Sequence, residues 1–184
     1  VISTPIGNLA DFSLRGIETL KRCARLYAED TRRTQKLLAH LQLRIPLRSL
    51  HAHNELGRVE EIKQCLDAGG DVGLVSDAGT PTISDPGTLV ISTLSQAGYR
   101  ISPIPGASAL NAALSVSGFP LSAGALFVGF LANKGKHRAL QLELIDRHAG
   151  VVVLFEAPHR FKATLFELCR LSEQRLGCVC RELT

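Results

Sequence analysis

Apolar residues along the chain follow two spacings. In Asp71-Val-Gly-Leu-Val-Ser76 they run almost without interruption, the pattern of a strand covered on both faces. Elsewhere they recur at helical spacing and mark one face: Leu14, Ile17, Leu20 and Ala24; Leu37, Leu38 and Leu41; Leu56, Val59, Ile62 and Leu66. Read from end to end, the pattern predicts strands over 1–4, 26–28, 47–51, 71–76, 100–103, 125–130, 151–155 and 177–181. Helices are predicted over 14–24, 31–41, 55–68, 86–97, 109–116, 136–148 and 159–171. Ser13 is placed to cap the first helix, and Asp85 the one opening at Pro86. Strands that alternate with helices define an α/β chain with a largely parallel sheet. The break Ser117-Gly-Phe-Pro120 places a boundary between a domain over 1–117 and a second over 118–184. Val1 lies in a predicted strand and Thr184 just after another, so both ends read as cut.

One connection is too long for its place. Between the strand ending at Ser76 and the following helix lie Asp77-Ala-Gly-Thr-Pro-Thr-Ile-Ser-Asp-Pro-Gly87, where about 2–6 residues normally suffice. Pro81 and Pro86 fix φ and remove donors, while Gly79 and Gly87 permit turns or close backbone approach. Such a loop at the carboxyl end of a buried strand is suited to hold a ligand. Pro105-Gly-Ala-Ser108 makes a second turn of small residues.

Composition narrows the chemistry. The 184 residues carry a net charge of +4, and Lys21, Arg22, Arg25, Arg32, Arg33 and Lys36 crowd one stretch that holds only Glu29 and Asp30 as acids. That patch suits a phosphate backbone, with a solvated basic face as the alternative. The five cysteines lack paired metal-ligand spacing and read as reduced thiols of a cytosolic protein. His51 and His53 alternate on a predicted strand without a third ligand nearby, so no metal site is expected. No apolar run reaches the ~18 residues of a membrane span, and no membrane association is expected. A P-loop is only loosely suggested by Gly129 to Lys136, where His137 stands in place of Ser or Thr. No G-x-G-x-x-G follows a strand.

Five segments, taken in order, carry a resemblance: Thr4-Pro-Ile-Gly-Asn-Leu9, Glu29-Asp-Thr-Arg32, Ser76 to Gly87, Pro105-Gly-Ala-Ser-Ala109 and Phe155-Glu-Ala-Pro-His-Arg160. Together they resemble the ribosomal RNA small subunit methyltransferase I family of the tetrapyrrole methylase superfamily, over essentially the whole chain. The resemblance implies two α/β domains, the second incomplete in this chain, with S-adenosylmethionine in the cleft between them, usually a homodimer. It further implies 2′-O-methylation of a cytidine in small-subunit (16S) rRNA, in the cytoplasm.

Carried over by position, the cofactor residues are Pro5, Asp77, Ala78, Gly79, Thr80, Pro81, Ile83, Ser84 and Ser108, with Phe155 and Glu156 from the second domain. A ribose hydroxyl needs a general base, for which Glu29 and Asp30 are the candidates. Helix capping is the alternative role of Asp30. Arg32, Arg33 and Lys36 are expected to hold RNA phosphate, and His159 is a weaker candidate for a site role. Two other readings stand beside this one: a superfamily methyltransferase acting on a tetrapyrrole or other small molecule, and a non-catalytic cofactor- or RNA-binding module.

Overall fold

A computed structural model describes residues 1–172 and 174–184. Their contacts divide into two compact units, Val1–Ala109 with Thr184, and Leu110–Leu183.

In the first unit the elements are α1 (Leu14–Arg22), β1 (Cys23–Ala28), α2 (Thr31–His40), β2 (Leu47–Ser49), α3 (Glu55–Asp67), β3 (Asp71–Val75) and α4 (Thr88–Gln96). The three strands form a parallel sheet in the order β2-β1-β3. Strand alternation sends Leu26 and Ala28 of β1 into one apolar cluster with Leu20 and Leu38, from α1 and α2. Tyr27 goes to the other side, with Val59 and Ile62 of α3 and Val90 and Leu94 of α4. With helices on both faces, the strands require the near-continuous apolar runs seen in the sequence.

Ser13 caps α1 as expected, its hydroxyl accepting from Gly16 N at 3.0 Å. The helix ends sooner than its periodicity predicts, however. Ala24 lies in β1, because β1 extends back to pair Cys23 with Asp71. The predicted strands 1–4 and 100–103 are reduced to isolated bridges, Ile2 with Ile104 and Thr4 with Gly79. Pro103 has no amide hydrogen for a ladder, and Thr4 turns its backbone to the long loop instead. β2 stops at Ser49, so His51 and His53 sit in the turn that follows.

The helix after the long loop corrects another expectation. α4 starts at Thr88, not Pro86, and Asp85 is not its cap. Gly87 occupies the capping position with φ +119°, and a carboxylate from α3 supplies the acceptors. Glu55 accepts from Gly87 N (3.0 Å) at Oε1 and from Leu89 N (3.0 Å) and Val90 N (3.2 Å) at Oε2. Three otherwise orphaned amides are satisfied by one side chain that is 7% exposed.

In the second unit α5 (Ala109–Ser117), whose first residue belongs to the first unit, is followed by β4 (Ala125–Phe130), α6 (Gly135–Arg147), β5 (Val151–Phe155) and α7 (Pro158–Leu171). β4 and β5 pair in parallel, and Leu131, Leu142 and Ile145 pack with Val152, Leu154 and Leu168. The predicted strand 177–181 is irregular, since the β4-β5 sheet has no third member for it to pair with among the described residues. No described helix is long and apolar enough to cross a membrane.

Replacing Glu55 with Ala strands the amides of Gly87, Leu89 and Val90 in a buried setting. The expected loss is about 2–4 kcal/mol of unfolding free energy, read as a lower urea midpoint.

Candidate active site

The parallel strands β1 and β3 run out at one rim of the first unit, and four of the five sequence segments meet there. Thr4 and Gly79 exchange backbone hydrogen bonds of 2.9 and 3.0 Å. The Thr4 hydroxyl donates to Ser76 O at 3.2 Å. Thr80 Oγ1 lies 3.0 Å from Ser3 Oγ and donates to Ala107 O at 3.2 Å, which joins the second small-residue turn to the loop. Asp77 makes the fourth connection: its Oδ1 accepts from Asp30 N at 2.9 Å, and its Oδ2 lies 3.5 Å from Arg33 Nε.

Four loop residues have left-handed φ: Gly79 at +82°, Thr82 at +72°, Ser84 at +68° and Gly87 at +119°. For glycine this is ordinary, but a β-branched threonine there is an outlier costing of order 1–3 kcal/mol. The hydrogen bonds on either side hold it in place. Between the two strained residues Ile83 stays 40% exposed, and Ser84 and Ala78 also face solvent. Pro81, by contrast, is fully buried in the protein, so its ring shapes the loop from inside. Pro5, Thr80 and Ser108 are half-buried at the same rim.

The acids differ in state. Asp30 caps α2, accepting from Arg32 N at 2.9 Å, and its two oxygens also take the Arg32 guanidinium at 3.0 and 2.7 Å. These hydrogen bonds from Arg32 hold its carboxyl at about 2. Glu29 moves the other way: partial burial, reinforced by the charges of Asp77 and Asp85, raises it above the ordinary 4.5. Asp85 is raised as well, by burial first. Sequence reasoning took Asp85 for a cap and missed it as a fourth acid of the rim, beside Glu29, Asp30 and Asp77. Its position within the over-long loop was the available signal. Arg32 and Arg33 are each committed to one carboxylate, and Lys36 is exposed on α2.

The residues of this rim fit S-adenosylmethionine chemically. The carboxylates of Glu29, Asp77 and Asp85 suit a ligand positively charged at sulfur and at its amino group, and the exposed Ile83 offers an apolar contact for a ring.

In the second unit Phe155 ends β5, with ring centroids 4.9 Å from Phe127 and 5.7 Å from Phe130, both edge to face. Glu156 is turned inward, its side chain 4% exposed. It accepts from Ala157 N at 2.8 Å and from Thr164 Oγ1 at 2.6 Å, and pairs with the Arg160 guanidinium, whose Nε lies 3.2 Å away. Arg160 continues to Leu131 O at 2.7 Å. The Glu-Ala-Pro-His-Arg segment thus fastens the start of α7 to the end of β4. What Glu156 offers a ligand is its backbone, since its carboxylate is occupied. His159 is exposed on the first turn of α7.

The family of Tetrapyrrole (Corrin/Porphyrin) Methylases matches residues 1–184. Over its full length the chain is 45% identical to Ribosomal RNA small subunit methyltransferase I of Synechocystis sp., covering 66% of that protein. It is also 45% identical to the protein of that name from Xylella fastidiosa, with 67% covered, and 40% identical to that of Thermotoga maritima, with 82% covered. The chain belongs to the tetrapyrrole (corrin/porphyrin) methylase family, in the branch of the ribosomal RNA small subunit methyltransferase I proteins. It spans 66% of the length of the Synechocystis relative and 63% of that from Bacillus subtilis.

The depressed carboxyl of Asp30 has a consequence for acid stability. A group whose pKa is lowered in the folded state stabilises fully above its ordinary value, here 3.8, and that contribution is lost as pH falls through about 2. Melting temperatures of the protein and of Asp30→Ala should therefore differ above pH 4 and converge as the pH approaches 2.

Proposed function

We propose that the protein transfers the methyl group of S-adenosylmethionine to the 2′-hydroxyl of a cytidine ribose in small-subunit (16S) rRNA. The single observation that carries this reading is the bond from Asp30 N to Asp77. It ties the segment of Glu29 and the long loop to the same rim, which supports a reading in which acid–base chemistry and a methyl donor share one place. The names of the relatives support rRNA as the acceptor. With that acceptor the reading carries a homodimer working in the cytoplasm on ribosomal particles.

The cofactor supplies an electrophilic methyl carbon on a positively charged sulfur. The rest falls to the chain. Glu29 is the general base: its raised carboxyl is a better proton acceptor than that of Asp30, whose oxygens are both engaged. It would take the proton of the ribose hydroxyl whose oxygen receives the methyl group. Asp30 is a positioning residue that starts α2 and fixes Arg32. Ala78, Gly79, Thr80, Ile83 and Ser84 line the cofactor with Pro5 and Ser108, and Asp77 anchors the loop they belong to. In the second unit Phe155 and the backbone of Glu156 complete the set. Holding both reactants in a near-attack geometry supplies much of the rate.

Transfer of a labelled methyl group from S-adenosylmethionine to small ribosomal subunits, with ribose methylation mapped by mass spectrometry, tests the reaction. Incorporation into a tetrapyrrole but not into rRNA overturns the choice of acceptor.

The base assignment has its own readout. Glu29→Gln is expected to lower kcat by about 10²–10⁴ while the calorimetric affinity for the cofactor stays near normal. The wild-type kcat/KM should fall on the acid side around a pKa above the ordinary glutamate value, and an undiminished rate in the variant sinks the assignment.

A further inference from the structure

The basic residues that crowd the sequence between Lys21 and Lys36 do not form one patch in space. Lys21 pairs with Glu18, Arg32 with Asp30 and Arg33 with Asp77, in each case one cation with one carboxylate. Arg25 goes elsewhere. It leaves β1 on the face covered by α3, where Arg48 of β2 and Arg58 of α3 converge with it on a single acid, Glu61. Arg25 Nη1 lies 2.7 Å and Arg48 Nε 3.3 Å from Oε1, and Arg58 Nη1 lies 2.9 Å from Oε2. The register explains the meeting. Tyr27 is opposite Arg48, so Arg25 and Arg48 are diagonal neighbours on one face of the sheet.

One carboxylate cannot balance three guanidiniums, and the cluster carries two positive charges in excess. The neighbouring acid on α3, Glu60, is paired with Lys63 at 3.0 Å and contributes nothing here. The fold gains little from the arrangement. The Arg48 pair is exposed, and such pairs are worth about 0–1 kcal/mol, while each further cation around the already occupied Glu61 carboxylate adds repulsion. Arg48 is 52% exposed and uses only Nε; among the described residues its two terminal amino groups donate to no protein atom. Arg25 and Arg58 also reach solvent, at 30% and 29%. Glu61 fixes three planar forks side by side and leaves the outer edges of at least one open. That is an arrangement for phosphate oxygens, which guanidiniums bind in pairs.

We propose that Arg25, Arg48 and Arg58, gathered on Glu61 at the β2 side of the sheet, form a phosphodiester site that holds the backbone of the RNA substrate. The proposal rests on the rRNA reading above. It places the substrate's main electrostatic hold on these residues instead of on Arg32 and Arg33, whose charges are already met. β1 and β2 run parallel, so their carboxyl ends open at the same rim as Glu29.

The test measures binding of a fluorescent small-subunit rRNA fragment to the wild-type protein and to Arg48→Gln, Arg25→Gln and the double variant, between 50 and 200 mM salt. Each lost contact should flatten the plot of log affinity against log salt by about 0.7–1, and weaken binding uniformly across RNA sequences. Glu61→Gln should act in the opposite direction, with tighter binding and a steeper slope, provided its circular dichroism stays native. Cofactor affinity serves as the readout that none of these changes should move. If the wild type methylates rRNA and the Arg48→Gln and Arg25→Gln slopes match it, the phosphodiester site is wrong and the cluster only ties β2 to α3. If the wild type neither binds nor methylates rRNA, the rRNA reading itself falls, and this site with it.

Discussion

The paired backbone hydrogen bonds between Thr4 and Gly79 are the constraint on which the rest of the first unit depends. They turn the start of the chain toward the long loop, and the loop toward the chain's start, at the point where β3 has just ended. With the Thr4 hydroxyl on Ser76 and the Thr80 hydroxyl on Ala107, three irregular segments become one rigid rim without a single strand ladder between them. Only such a frame can keep Thr82 and Ser84 in left-handed conformations that neither prefers. At the far end the frame closes through Glu55, a residue of another helix. Strain at the centre of the loop is thus opposed by hydrogen bonds at both of its ends.

Charge is distributed with a similar economy. Acids collect at the carboxyl ends of β1 and β3, where burial, reinforced by the charge of Asp77, raises the proton affinity of Glu29 and of Asp85, and Asp30 escapes by engaging Arg32. Arginines in excess collect on the β2 side, around Glu61. A basic stretch in the sequence therefore divides in the fold into one-to-one pairs, those of Arg32 and Arg33 at the rim, and a separate cluster with charge to spare. Neighbours in sequence separate because strand residues point alternately to opposite faces and because β1 and α2 face different partners.

How much could be read from the sequence follows from the range of each interaction. Helix and strand periods are local, so the α/β class and most elements were legible, and the loop stood out by its length alone. Four of the segments named for the site do come together, Asp77 with Asp30 among them. What stayed hidden depends on distant partners. Glu55 caps a helix 32 positions away, and nothing around Pro86 signals that the acceptor arrives from α3 instead of Asp85. Ala24 reads as helical by spacing but is drawn into β1 by pairing with β3. The end strands reduce to bridges because Pro103 lacks a donor. The burial of Glu156 rests on Arg160 and Thr164, which only the fold brings around it.

β2 has three residues and carries Arg48 outward, so it offers another strand little length and a desolvation penalty. On the opposite side, beyond β3 and the residues around Ile2, the bridging segment at Ile104 is flanked by Pro103 and Pro105, which have no amide hydrogens to donate. Both borders are thereby closed to strand addition, the usual route from an open sheet to edge-to-edge aggregation.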